Sequence, residues 1–236
     1  MMNTIEIQAI FGIASAVIVS YLYFFIQDKM KPGYKPGNDH RGKMIFLWRK
    51  VSGFLILGFI PAVMALGFFQ ITPVQVGFSP ISSINIWTWT VLASLFFVTL
   101  NVFNSKSAAL RKSYPELRLA KWGVGSITLA ASGWLLYLAG YEYLFRGLLL
   151  FSCYHYLGYW PAIVINLALY STLHLPKGMK EAVAAIPFGL LLCYLTIESQ
   201  SILPAVILHA VQAVSCEIFC IWRNPDMSFR IKLYRS

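Results

Sequence analysis

What most limits the fold of this chain is a succession of apolar runs of about twenty residues each, set apart by short segments that gather nearly all the basic residues. At 1.5 Å per helical residue, about twenty residues cross a hydrocarbon core roughly 30 Å thick. The first run covers about residues 7–26, and residues 51–69 and 86–103 give the second and third. From Trp122 the apolar sequence continues to Leu157, too long for one perpendicular crossing, so a long tilted or broken fourth span is expected. Residues 160–175, 181–197 and 202–222 complete the set. Pro61 marks a kink in the second span, which neighbouring helices can accommodate. Trp87 and Trp89 open the third at the level that suits amphipathic rings.

Charge placement orients this series. Lys29, Lys31, Lys35, Arg41, Lys43, Arg49 and Lys50 share one segment with the turn signals Pro32-Gly33 and Pro36-Gly37. Lys106, Arg111, Lys112, Arg118 and Lys121 share the next, where residues 105–121 are expected to be partly an interfacial helix. Lys177 and Lys180 form a third group, and Arg223, Arg230, Lys232 and Arg235 lie in the tail, whereas residues 70–85 carry no Lys or Arg. Seven spans put all these groups on one side, with the N-terminus outside and the C-terminus in the cytoplasm. Splitting the fourth span would strand the tail's charges on the other side.

The expectation is an all-α, polytopic transmembrane bundle of about seven spans. Only 12% of the 236 residues are charged and 58% are hydrophobic, against about 25% charged in a soluble domain. No sizeable soluble domain fits beside the spans. A net charge of +10 is compatible with a nucleic-acid partner, but its confinement to short loops makes it a topology determinant, and the bilayer the partner. The start of the chain has no basic n-region or small-residue cleavage site, so the first run reads as a retained helix. Residues 1–104 are read as amino-terminal helices with a basic loop, 105–222 as a core, and 223–236 as a basic cytoplasmic tail. The cysteines, Cys153, Cys193, Cys216 and Cys220, all fall in apolar runs and read as small packed groups.

Chemistry-bearing residues cluster in the second half. Tyr141-Glu142-Tyr143-Leu144-Phe145-Arg146-Gly147 puts a carboxylate and a guanidinium at i and i+4, on one helix face. A charge at the bilayer centre costs about 2.5–3.5 kcal/mol on insertion scales, so the two are expected to pair, as a functional site or as a buried structural ion pair. Tyr170-Ser171-Thr172-Leu173-His174 sets a ring and an imidazole at i and i+4, and His209 stands in the last span. An acid and two imidazoles from three helices supply a general base and hydrogen-bond donors, the minimum for activating water on a carbonyl. Two His and one Glu can also hold zinc, but the H-E-x-x-H spacing is lacking, and the expectation is no metal and no cofactor. Asn166 and Gln212 are read as interhelical hydrogen bonders or cavity liners, and Cys216 with Cys220 as packing. Lys177, Lys180 and Glu181 are read as a membrane boundary. Glu217, two turns after His209, is read as an interfacial residue, with a carboxylate donated to the site as the alternative.

These three stretches resemble the motifs of the CPBP family, the CAAX proteases and bacteriocin-processing enzymes also called Abi proteins, which are glutamate-type intramembrane proteases. Tyr141 to Gly147 resembles its E-E-x-x-x-R-G motif, Tyr170 to His174 its F-x-x-x-H motif, and the segment at His209 its H-x-x-x-N motif. The resemblance implies a metal-independent endopeptidase that cuts a protein or peptide presented at the membrane, in a bacterial inner (plasma) membrane. It implies that Glu142 and Arg146 are the structural pair, His174 the water-activating histidine and His209 the oxyanion donor. Tyr141 stands where the family has its first Glu, and Ala213 where it has Asn. Three readings stay open: Glu142 acts as base with His174; His174 acts alone, with the Tyr141 hydroxyl as a donor; or the chain binds a peptide or partner helix without cleaving it. A small proton-coupled transporter is a further class, one that inverted repeats would favour.

Overall fold

The computed structural model describes residues 3–29, 39–81 and 83–229. The tail residues Arg230, Lys232 and Arg235, the first-loop residues Lys31 and Lys35 with their Pro-Gly turns, and the terminal Met1 lie outside the described residues. Helix α1 is Thr4–Lys29. Helix α2 runs over residues 39–68 as an α-helical part Asp39–Gly53, a wider π-helical stretch Phe54–Phe59 and a second α-helical part Ile60–Phe68. Helix α3 is Ile84–Asn104, the short α4 is Ala108–Ser113 and the long α5 is Val124–Leu157, whose residues Tyr143–Leu150 form a second π-helical stretch. Helices α6 (Tyr159–Thr172), α7 (Met179–Ser199) and α8 (Leu203–Trp222) complete the bundle. The two-residue strands β1 (Lys121–Trp122) and β2 (Ser228–Phe229) pair in parallel, fixing the start of the tail beside the start of α5.

Among the described residues, six helices are long and apolar enough to cross a membrane. Helix α6, with 14 residues, reaches only about 21 Å. It still leads from one end of the bundle to the other once the turn to Lys177 is added, so the all-α architecture of about seven spans stands. The fold turns a soluble protein inside out: Ile18, Phe25, Leu66, Phe96 and Val164 are exposed on the outside, where acyl chains replace water. Helix α5 lies at the centre, and every residue from 140 to 153 is buried. A helix that is apolar all round can be stable only in such a place.

Two boundaries differ from the sequence reading. The expected loop at residues 28–50 is helical from Asp39, because tertiary partners hold its charges: Arg49 Nε donates to Gln27 Oε1 at 2.6 Å, and Lys50 Nζ to Glu116 Oε2 at 2.6 Å. Near Pro61 the helix continues. Proline offers no N–H and its ring crowds the carbonyl one turn earlier. The preceding turns widen, so that the N–H of Ile60 reaches back to Leu55. The fourth span, expected to be tilted or broken, is one continuous helix that ends where Gly158 adopts φ 86°. This left-handed conformation suits a residue without Cβ, and it turns the chain into α6.

The two ends of the bundle have opposite characters. At one end Arg49 and Lys50 meet Glu116, Lys177 Nζ donates to the Tyr114 hydroxyl at 3.1 Å, and Arg223 Nε donates to Ser105 Oγ at 3.1 Å. Three of the expected basic groups are thereby joined to one connector, residues 105–123. At the other end Ile202 N–H donates to Gly77 carbonyl at 3.0 Å and Gln8 Nε2 to Phe69 carbonyl at 3.2 Å, so residues 70–81 cap the bundle there without a basic residue.

Candidate active site

The central helix α5 carries Tyr141, Glu142 and Arg146, placing them where no water reaches: Glu142 and Arg146 are both 0% exposed. Arg146 Nη1 lies 3.3 Å from Glu142 Oε2, across one turn. The other carboxylate oxygen, Oε1, accepts from His209 Nδ1 of α8 at 2.5 Å. A carboxylate can only accept, so this nitrogen carries the proton, leaving His209 Nε2 for the side away from Glu142. Glu142 thus joins the two helices, Oε1 by a hydrogen bond to α8 and Oε2 by the ion pair alone.

Beyond this ion pair, the Arg146 guanidinium makes no hydrogen bond to the described residues. Its Cζ lies over the Tyr170 ring, 4.3 Å from the centroid, where the ring's negative face meets the charge. Gly189 of α7 leaves the space for it. A Cβ there would stand 3.3 Å from Arg146 Nη2, 2.9 Å from Leu167 Cδ2 and 3.0 Å from Tyr170 Cδ1. Asn166 of α6 donates to the Phe145 carbonyl at 2.7 Å and accepts from Cys193 Sγ of α7 at 3.3 Å, which fixes the π-helical stretch against both neighbours. The interhelical reading of Asn166 is the one observed.

Tyr170 is also the link to His174. The two rings are 4.6 Å apart, and the Tyr170 carbonyl accepts from His174 Nδ1 at 2.8 Å. By the same reasoning the proton sits on Nδ1, and Nε2 is the free nitrogen. His174 and His209 line a single cavity of about 310 Å³ between α3, α7, α8 and the connector. Helices whose candidate residues lie far apart in the sequence therefore bring two imidazoles to one cavity, each held through Nδ1.

The other expected residues fall into place around this cavity. Tyr141 is not among the residues that line it: the ring is buried and stacked on Phe145 at 4.7 Å, with His209 6.0 Å away. Gln212, Ala213 and Cys216 follow His209 along the cavity wall. Lys177, Lys180 and Glu181, read from sequence as a boundary, line the same cavity together with Tyr114 of the connector. Tyr114 carries no sequence signal, since its role arises only once the connector folds back on the bundle. Glu217 points away from the cavity, buried at the basic end, where Oε1 accepts from the Glu116 N–H at 2.7 Å. Among the described residues, no group of three or more His, Cys, Asp or Glu is placed to hold a metal ion.

Residues 123–215 match the family model of the Rce1-like type II CAAX prenyl endopeptidases. This is the family that the three motifs resemble, and the matched segment contains Glu142, Arg146, His174 and His209. No curated protein and no solved structure matches the chain. The likeness covers this one segment, and over it the chain is similar to a family of membrane endopeptidases.

Proposed function

We propose that the chain is an intramembrane endopeptidase of the CAAX-protease type, in which His174 activates water and His209 stabilises the charge that develops on the scissile carbonyl. The observation behind this reading is the shared cavity, on which both imidazoles open while each Nδ1–H is committed elsewhere. A neutral imidazole with its Nδ1–H given to a backbone carbonyl has a bare Nε2, the acceptor a general base needs. The attacking water gives its proton to His174 Nε2 as the new C–O bond forms, and the imidazolium later passes that proton to the departing amine. Glu142 does its work through His209. Its carboxylate takes the Nδ1–H and so orients the ring, aiming Nε2 at the position of the oxyanion, to which a proton carried there donates. Arg146 in turn keeps Glu142 ionised in the apolar interior. Of the readings open from sequence, this is the one with His174 alone as base, except that the donor is His209 and not the Tyr141 hydroxyl.

The substrate is a peptide segment presented at the membrane, and the family description makes a prenylated C-terminal CAAX sequence the first one to try. The setting is a bacterial inner membrane, with the basic end of the bundle in the cytoplasm. A second reading, binding without cleavage, draws on Glu142, whose Oε1 is taken by His209 and whose Oε2 faces Arg146, so that this carboxylate serves the ion pair and not a water molecule. One experiment decides between them. Purified protein in lipid vesicles is given a quenched-fluorescent library of lipidated peptides ending in CAAX sequences. Turnover is expected in the parent and a loss of about 10²–10⁴-fold in His174→Ala, with an unchanged thermal midpoint. A parent with no turnover on any member would leave the binding reading in its place.

A further inference from the structure

We propose that Gln212 is a catalytic residue of this site, its side-chain amide being the neutral donor that holds the carbonyl oxygen beside His209. The inference rests on the proposed hydrolysis and assigns it a group so far without a role. An amide carbonyl under attack gathers negative charge on oxygen, and preorganised donors aimed at that oxygen are what stabilise it.

Several donors line the cavity; Trp134, whose buried indole N–H has no hydrogen bond among the described residues, and Lys180 stand on α5 and α7, not on the helix of His209. Asn101 lines it, but both N–H groups of its Nδ2 are engaged, with the Gln212 carbonyl at 2.8 Å and with Ser215 Oγ at 2.8 Å. Lys177 donates to Tyr114, which places both at the connector. Asn104 stands one turn beyond Asn101 on α3, towards the end where Arg223 meets Ser105. Gln212 differs from all of these. It lies three residues after His209 on α8, so their Cβ atoms are about 5–6 Å apart on one face. Its side chain lines the same cavity, and the amide has no hydrogen-bond partner among the described residues.

Two further features suit Gln212 to this task. Its backbone is a fixed mount, because the carbonyl receives Asn101 Nδ2 and also Ser215 Oγ at 3.1 Å. Next to it on the cavity wall is Ala213, which has no hydrogen-bonding side chain of its own to compete for the carbonyl. The oxygen of a bound peptide carbonyl would then take one N–H from Gln212 Nε2 and one from His209 Nε2. No proton leaves Gln212, and no bond to it forms.

The test uses the lipid-vesicle assay with the peptide library described above. Gln212→Leu is expected to lower kcat by about 10²–10³-fold, as loss of one oxyanion donor does, with KM and the thermal midpoint nearly unchanged. The double variant Gln212→Ala with Ala213→Asn returns an amide to the same wall one residue on, and is expected to regain most of the lost kcat. Turnover in Gln212→Leu within a few-fold of the parent overturns the assignment, as does a loss that the double variant does not recover. In either case His174→Ala still separates the two claims, because loss of turnover there keeps the proposed reaction standing without Gln212. A parent with no turnover overturns both.

Discussion

Glu142 and Arg146 show how one residue's environment sets the cost of changing another. The carboxylate faces Arg146 at 3.3 Å and His209 at 2.5 Å, with all exposure gone. Removing one partner of a buried pair leaves the other charge uncompensated, at a typical cost of about 3–5 kcal/mol. Glu142→Ala and Arg146→Ala are each expected to lower the thermal midpoint of the protein in detergent markedly, and equal midpoints for parent and variants would mean that the pair is not buried. Gly189→Ala probes the same site from the other side. Its added methyl meets Leu167, Tyr170 and the guanidinium, and overpacking of this kind costs about 1–3 kcal/mol. Differential scanning fluorimetry is expected to place Gly189→Ala below the parent.

Among the elements, the connector between α3 and α5 turns a bundle into a bundle with a covered cavity. Tyr114 lines the cavity and accepts from Lys177, while two residues on Glu116 bonds Lys50 at 2.6 Å and Arg49 at 3.1 Å. Burial alone would raise the Glu116 carboxyl, but the Lys50 and Arg49 charges outweigh it and hold the group below the usual carboxylate range. A depressed folded-state value means that the contribution to stability is complete above the unfolded-state value and is lost as pH falls from there through the folded one. Glu116→Gln is therefore expected to melt below the parent at neutral pH, with the gap closing as the pH falls from the ordinary carboxylate value to below it. A gap that stays constant with pH would show that Glu116 is not held by charge.

The whole molecule sorts its charges by end, and this carries the orientation. Contacts to the connector gather Arg49, Lys50, Lys177 and Arg223, while the opposite end is capped by residues 70–81 with no basic side chain. The positive-inside preference then expects a reporter fused at Ser79 to read as external and one at Ser236 as cytoplasmic. A cytoplasmic signal at Ser79 would reverse the scheme.

The sequence by itself determined the class of fold, because runs of about twenty apolar residues have only the membrane to cross. It also determined the side on which the basic residues gather, and the three motif stretches at Glu142, His174 and His209, since a charge or imidazole in such a run stands out against its neighbours. Residue periodicity says nothing of contacts between distant helices, so what those polar groups touch was left to the tertiary structure. It gave Oε1 of Glu142 to His209 and the guanidinium to the Tyr170 ring, and it buried Tyr141 away from the cavity. Likewise it carried Arg49 and Lys50, which read as loop, into a helix by giving them Gln27 and Glu116 as partners. Gln212 was a polar residue in a span with two equal readings; the cavity beside it came from the way α3 and α7 pack against α8, and only that packing decided which one holds.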